Sequence, residues 1–170
     1  GHLGAPWPKR DRRTLLEAPE QWLGPCLEGC LSWKELDDSS LQEALWGDLS
    51  WSQRQDLNRL LPLRMSIPSG REARLRYEED DVVLAVKLQE MFGCQDGPTV
   101  LDNRLAVTVE LLSPAGRPLQ RTRDLGGFWR GSYSDVRREM RGRYPKHPWP
   151  DNPLEATATA YTKHRRVTRK

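Results

Sequence analysis

Residues 111–151, LLSPAGRPLQRTRDLGGFWRGSYSDVRREMRGRYPKHPWPD, carry the pattern from which the fold of this chain is read. A period of two gives way to a period near four, and then to a run broken by proline. Leu111 closes an alternating stretch, and Ser113-Pro114-Ala115-Gly116 supplies turn chemistry. Residues 118–123 return as a strand whose opening Pro118 confines it to a start or an edge. Asp124 is placed to cap the next helix. Trp129, Tyr133, Val136, Met140 and Tyr144 then recur at spacings of 4, 3, 4 and 4, the apolar stripe of a helix laid on a sheet. Gly126, Gly127 and Gly131 are poor helix formers, so the first turns are expected to be a separate piece. At about 100° per residue, Arg130, Arg137 and Arg141 fall on one shoulder of the stripe, with Asp135 and Glu139 around the far side.

Upstream of this stretch the alternation continues. Leu105, Val107, Val109 and Leu111 share one face of a strand; Leu63, Met65 and Ile67, then Ala73, Leu75 and Tyr77, alternate with polar residues around the turn Pro68-Ser69-Gly70. Residues 82–86, VVLAV, read as a buried strand, followed by a short helix over 87–92 that Gly93 stops. Glu78, Glu79, Asp80 and Asp81 form an acidic loop without the glycine pattern of a calcium site. Leu75, Tyr77, Val107 and Val109 are expected to share one core with Trp129, Tyr133, Val136 and Met140. The expected class is α+β: a five-strand antiparallel sheet packed with a C-terminal helix, an OB-like arrangement being one form its element order allows.

Before Pro62 the period is helical. A helix is expected over residues 15–28, with Pro19 near its start and Pro25 kinking or ending it. Ser32 with Glu35, Ser40 with Glu43 and Ser50 with Gln53 each match a capping box ahead of apolar residues. The domain plan is therefore a helical subdomain over 3–61, a sheet with its helix over 62–153, and a basic flexible tail over 154–170. Gly1-His2, without a Met, reads as a remnant of cloning or proteolysis, and the chain is expected to be a piece of a longer protein.

Charge is distributed unevenly. The 170 residues carry a net +3, yet residues 117–170 hold 14 Lys and Arg against 5 Asp and Glu, or +9, and the rest of the chain is acidic. Such a split suits phosphate, anionic lipid or an acidic protein. Arg130, Arg137, Arg141, Arg143 and Lys146 are the candidate phosphate contacts, and Tyr144 a candidate for stacking a base. A row of arginines serves equally as a solvated face paired with acids from the rest of the chain. Residues 144–153, YPKHPWPDNP, are extended by their prolines. There Trp149 either docks on its own domain or, with His147, meets a partner.

Enzymatic chemistry is absent. No Gly-Lys dipeptide occurs, so no phosphate-cradling G-x-x-x-x-G-K-[ST] loop exists, nor does G-x-S-x-G. Besides His2 only His147 and His164 are histidines. Cys26, Cys30 and Cys94 lack a C-x-x-C pair, and Cys26 and Cys30, four apart, read as small buried residues in a reducing, cytoplasmic setting. No apolar run is long enough to cross a bilayer.

Several runs together resemble a known family: LQEMFG (88–93), LLSPAGRP (111–118), TRDLGGFWRGSY (122–133) and above all RGRYPKHPWPDNP (141–153), with WLGPCL (22–27) and IPSG (67–70) upstream. They resemble the C-terminal domain of the HrpB family of bacterial DEAH-type ATP-dependent helicases. The resemblance implies ATPase domains, with ATP and Mg, in preceding RecA-like domains, and none here. It implies a non-catalytic accessory domain that contacts RNA or single-stranded nucleic acid through the basic helix and tail. The alternative is a module that docks on an acidic protein or on the helicase core, with Trp149 as anchor.

Overall fold

A computed structural model describes residues 7–8, 11–28, 30, 32–47 and 49–163. The expectations for the start of the chain and for residues 164–170, His164 included, lie outside the described residues. The chain divides into two compact units, Gly1–Leu57 and Asn58–Lys170.

The first unit is helical, with α1 (Arg12–Glu17), α2 (Pro19–Leu27), a 3-10 turn at Trp33–Glu35, α3 (Asp38–Trp46) and most of α4 (Trp51–Leu60). Two helices occupy the span expected to hold one, because Pro19 fits the first turn of a new helix while Ala18 breaks the old one. Pro25 lies inside α2. Of the three capping boxes, one forms with both reciprocal bonds. The Ser50 amide donates to the Gln53 side chain at 2.9 Å, and the Gln53 amide to the Ser50 hydroxyl at 3.3 Å. At α3 the cap is Asp37, whose carboxylate accepts the Ser40 amide at 2.7 Å, so Ser40 sits inside the helix. None of the described residues of this unit is buried.

The second unit holds the core. Its sheet runs β1 (Arg64–Ser66), β2 (Glu72–Tyr77), β3 (Val82–Lys87), β6 (Thr108–Leu112), β7 (Pro118–Thr122), in that order. A small hairpin of β4 (Thr99–Val100) and β5 (Leu105–Ala106) stands apart. The α+β class and five strands agree with the sequence; the antiparallel expectation needs correction, since β3 and β6 are parallel. Parallel neighbours require a crossover, and residues 88–107 provide it. Val107 donates its amide to Pro98, which splits the expected single strand 105–111 into β5 and β6. The sheet is open, with β1 and β7 at its edges, and does not close as an OB barrel would.

Leu75, Leu84 and Val109 lie in register across three strands and are all but fully buried. With Val107, Trp129, Tyr133 and Met140 they form the expected core, while Val136 is half-buried. Tyr77 departs from it: at the end of β2 the ring is exposed and its hydroxyl donates to the Pro62 carbonyl at 2.8 Å.

The crossover begins with a 3-10 turn, Leu88–Met91, in place of the expected short α-helix. Glu90 within it is 1% exposed. Arg71, just after the β1–β2 turn, donates to both its oxygens at 2.8 and 2.9 Å; Ser69 and the Lys87 amide add bonds of 3.3 and 3.2 Å. The turn is tightened by Gly70 at φ 79°, whose amide donates to Ile67.

Removing one partner of such a pair costs more than removing both. Arg71→Met, which strands the buried carboxylate, is expected to destabilise the protein by about 2 kcal/mol, below the buried-pair range because Arg71 is half exposed. Arg71→Met with Glu90→Met should recover part of the loss in a denaturant melt. Equal stability of the single variant and the parent would show that the pair is incidental.

Candidate nucleic-acid interface

The basic segment folds as two helices, α5 (Leu125–Arg130) and α6 (Tyr133–Arg143), broken at Gly131 as its glycines foretold. Asp124 caps α5 by accepting the Gly127 amide at 2.7 Å, and a Cβ on Gly127 would lie 2.1 Å from that carboxylate. A side chain there would displace the capping carboxylate. Phe92, Phe128, Trp129 and Tyr133 meet edge to face or tilted, with ring centroids 5.0–6.3 Å apart, and fix the helix pair over the crossover turn. The Trp129 indole donates to the Cys94 carbonyl at 2.7 Å.

The proline-broken exit closes over this pair. Trp149 is 6% exposed and donates its indole N–H to the Tyr144 carbonyl at 2.9 Å. Tyr133 donates its hydroxyl to Pro150 at 2.8 Å, and burial pushes that phenol's pKa well up. The Gly93 amide bonds Pro153, and the Thr159 amide bonds Gln89 at 2.9 Å. Lys163 donates its amide to Lys146 and its Nζ to Pro145. The expected flexible tail is therefore held as far as Lys163, because backbone hydrogen bonds and the burial of Thr159 fix it.

Of the two readings of Trp149, these contacts match docking. Trp149 is docked on its own domain and is not presented to a partner. His147 is half-buried, its ring 6.4 Å from that of Tyr144, and its pKa is lowered by burial and then by the charge of Lys87.

The candidate cations divide into two groups. Arg137 is spent on structure: it donates to the Trp149 carbonyl at 2.9 Å and pairs with Asp151 at 2.5 Å. Arg143 is exposed and pairs with Glu139 one turn back, a surface pair of small worth. Arg130, Arg141 and Lys146 are exposed and form no ion pair among the described residues. Arg141 and Arg137 border an open groove of about 550 Å³ with Trp149, Glu155 and Lys163. Arg143 and Tyr144 border a smaller one of about 270 Å³, where the β6–β7 turn adds Arg117. Sequence reasoning missed Arg117 and Lys163 as groove residues, since only the fold carries them to α6 and its exit.

Much of the remaining positive charge is neutralised on the sheet. Arg121 pairs with Glu78 at 2.7 Å and Asp81 at 3.2 Å, and Arg123 with Asp81 at 3.1 Å. Burial alone would raise the Asp81 pKa, but hydrogen bonds from Thr108 and Arg123 outweigh it and hold the carboxyl low. Among the described residues no group of three or more His, Cys, Asp or Glu could hold a metal ion, and no helix is long and apolar enough to cross a membrane.

A family model described as ATP-dependent helicase C-terminal, HrpB_C, matches residues 22–153. The ATP-dependent RNA helicase HrpB of Escherichia coli (strain K12) is 46% identical over 158 residues, covering 92% of this chain and 20% of that protein. The crystal structure of the E. coli DExH-box NTPase HrpB matches with a TM-score of 0.79 at 46% identity, over 92% of this chain and 19% of that one. A crystal structure of the E. coli DEAH/RHA helicase HrpB matches with a TM-score of 0.62 at 45% identity, over 84% and 18%. The chain thus spans about a fifth of the length of these relatives.

Two measurements check the docked exit. Trp149→Ala is expected to cost about 3–5 kcal/mol, the range for a large buried aromatic; an unchanged melting temperature would mean that the indole is not docked. The lowered His147 pKa means that the unfolded chain binds the proton more readily, so stability falls as pH drops through 6.5 towards the folded value. His147→Gln should flatten the stability profile across that window, and a profile with unchanged slope would contradict the burial.

Proposed function

The chain belongs to the ATP-dependent helicase C-terminal family, and from that premise we propose that it is a non-catalytic accessory domain which contacts RNA or single-stranded nucleic acid. In the parent protein, ATP and Mg would be bound by preceding domains, and this domain would hold the strand those domains move along. The observation that carries the reading is the set of exposed cations without ion pairs among the described residues, Arg130, Arg141 and Lys146. They stand on a frame that Trp149, Arg137 and Tyr133 keep rigid. Cations held in place lose less freedom on meeting phosphates than cations on a mobile tail. Contacts of this kind are electrostatic, read no sequence, and release counterions. Tyr144, half-buried beside Arg117 and Arg143, offers a ring for one base at the rim of the smaller groove.

A second reading, docking of the chain on other helicase domains, is favoured by one observation. The helical unit Gly1–Leu57 has no buried residue among those described, and Trp51 is 76% exposed. Exposed tryptophan is a common anchor residue of protein interfaces. In that reading the anchor is Trp51, since Trp149 is already docked.

Arg141→Glu with Lys146→Glu tests the nucleic-acid reading without touching the core. Single-stranded RNA affinity is expected to fall roughly tenfold or more for all sequences alike, and the slope of log K against log salt to drop by about 2. Unchanged affinity in a folded double variant would remove the reading and leave docking.

A further inference from the structure

The sheet carries a second cationic site that the basic C-terminal third does not include. β1 and β2 pair so that Arg64 stands directly opposite Arg74. Both are exposed, and neither forms an ion pair or a side-chain hydrogen bond among the described residues. Directly opposite residues of an antiparallel pair have Cβ atoms about 5 Å apart, and like charges at that spacing oppose folding. The fold does supply carboxylates on the same face, and other arginines take three of them, Glu78, Asp81 and Glu110. Arg76, two residues beyond Arg74 and so on its side of β2, bonds Glu110 at 3.1 Å and lies 3.5 Å from Glu78. Arg121 and Arg123 hold Glu78 and Asp81. Glu72, two rungs along on the same face, lies opposite Ser66 and pairs with neither arginine. Charge against edge-to-edge association accounts for Arg64 on the edge strand β1. It does not account for Arg74, whose strand is paired on both sides.

We infer that Arg64 and Arg74 form a phosphate clamp that binds the backbone of single-stranded nucleic acid. Two guanidinium forks carried on Cβ atoms about 5 Å apart can each turn two N–H donors towards the oxygens of one phosphodiester. The anion then relieves the repulsion that the register imposes. The clamp rests on the nucleic-acid reading above and deepens it, adding a phosphate contact on the hairpin to those of α6 and its exit. An acidic peptide could offer carboxylates to the same pair, and is an outcome of the test.

The test uses Arg64→Gln with Arg74→Gln in the whole chain, beside Arg141→Glu with Lys146→Glu. Removing two like charges should leave the melting temperature unchanged or raise it. For single-stranded RNA the affinity should fall about three- to tenfold at low salt, whatever the sequence, and the salt slope should drop by about 1. Inorganic phosphate should stabilise the parent chain more than the glutamine variant. If the glutamine variant keeps parental RNA affinity and slope while the glutamate variant loses both, the clamp is wrong and the α6 reading stands. If neither variant changes RNA binding, both fail. A loss confined to polyglutamate binding, with RNA binding intact, overturns the clamp in favour of a peptide site.

Discussion

A carboxylate can be buried only where donors replace the water it gives up, and Glu90 is the place where this unit meets that demand. Its oxygens take Arg71, Ser69 and the Lys87 amide, which joins the first hairpin to the exit of the central strand. The same short turn does three further things. Gln89 receives the Thr159 amide from the tail, Phe92 takes the rings of Trp129 and Tyr133, and Gly93 bonds Pro153. Hairpin, helix pair and proline-rich exit thus all converge on residues 88–93. A bidentate arginine pair is a directional contact, so it fixes orientation where apolar packing alone would leave several alternatives. The positions of the cations on α6 and its exit follow from this arrangement.

Net charge and usable charge are different quantities in this molecule. The last third carries +9, but the fold spends Arg121, Arg123 and Arg137 on acids and carbonyls and couples Arg143 to Glu139. What remains for a partner is a sparse set of fixed cations. The opposite change occurs in the acidic middle of the chain, where Arg64 and Arg74 stay unpaired while Arg76, Arg121 and Arg123 take Glu78, Asp81 and Glu110. Charge counted along a chain cannot register either effect, since pairing depends on strand order.

Local signals were legible in the sequence where one element settles them alone. The alternation of β2 and β6, the apolar run of β3, the stripe Trp129, Tyr133, Met140, the break at Gly131 and the Ser50 capping box all appear in the structure. At α3, Asp37 stands three residues before Ser40 and competes for the cap, and carboxylate and hydroxyl are nearly equal in preference. Features set by distant partners were not legible. The parallel register of β3 and β6 depends on a crossover whose small hairpin has no strong pattern. Tyr77 continues the alternation but lies past the end of the covered face. The tail to Lys163 looks polar and mobile, yet its order comes from backbone amides, which composition does not report. The pairing of Arg71 with Glu90 spans nineteen positions and looks like two surface charges. For the candidate site, the residue types were readable from charge, and their division into structural and free cations was not.

The central claim is that this domain holds nucleic acid by a few fixed phosphate contacts. The most direct measurement is the affinity of the unaltered chain for two unrelated single-stranded RNAs across a salt series. The account predicts equal affinities for the two and a linear fall of log K with log salt, with a slope of about −2 to −4 for the handful of cations left free. Absence of binding at low salt, or affinity that depends on sequence and not on salt, would contradict it.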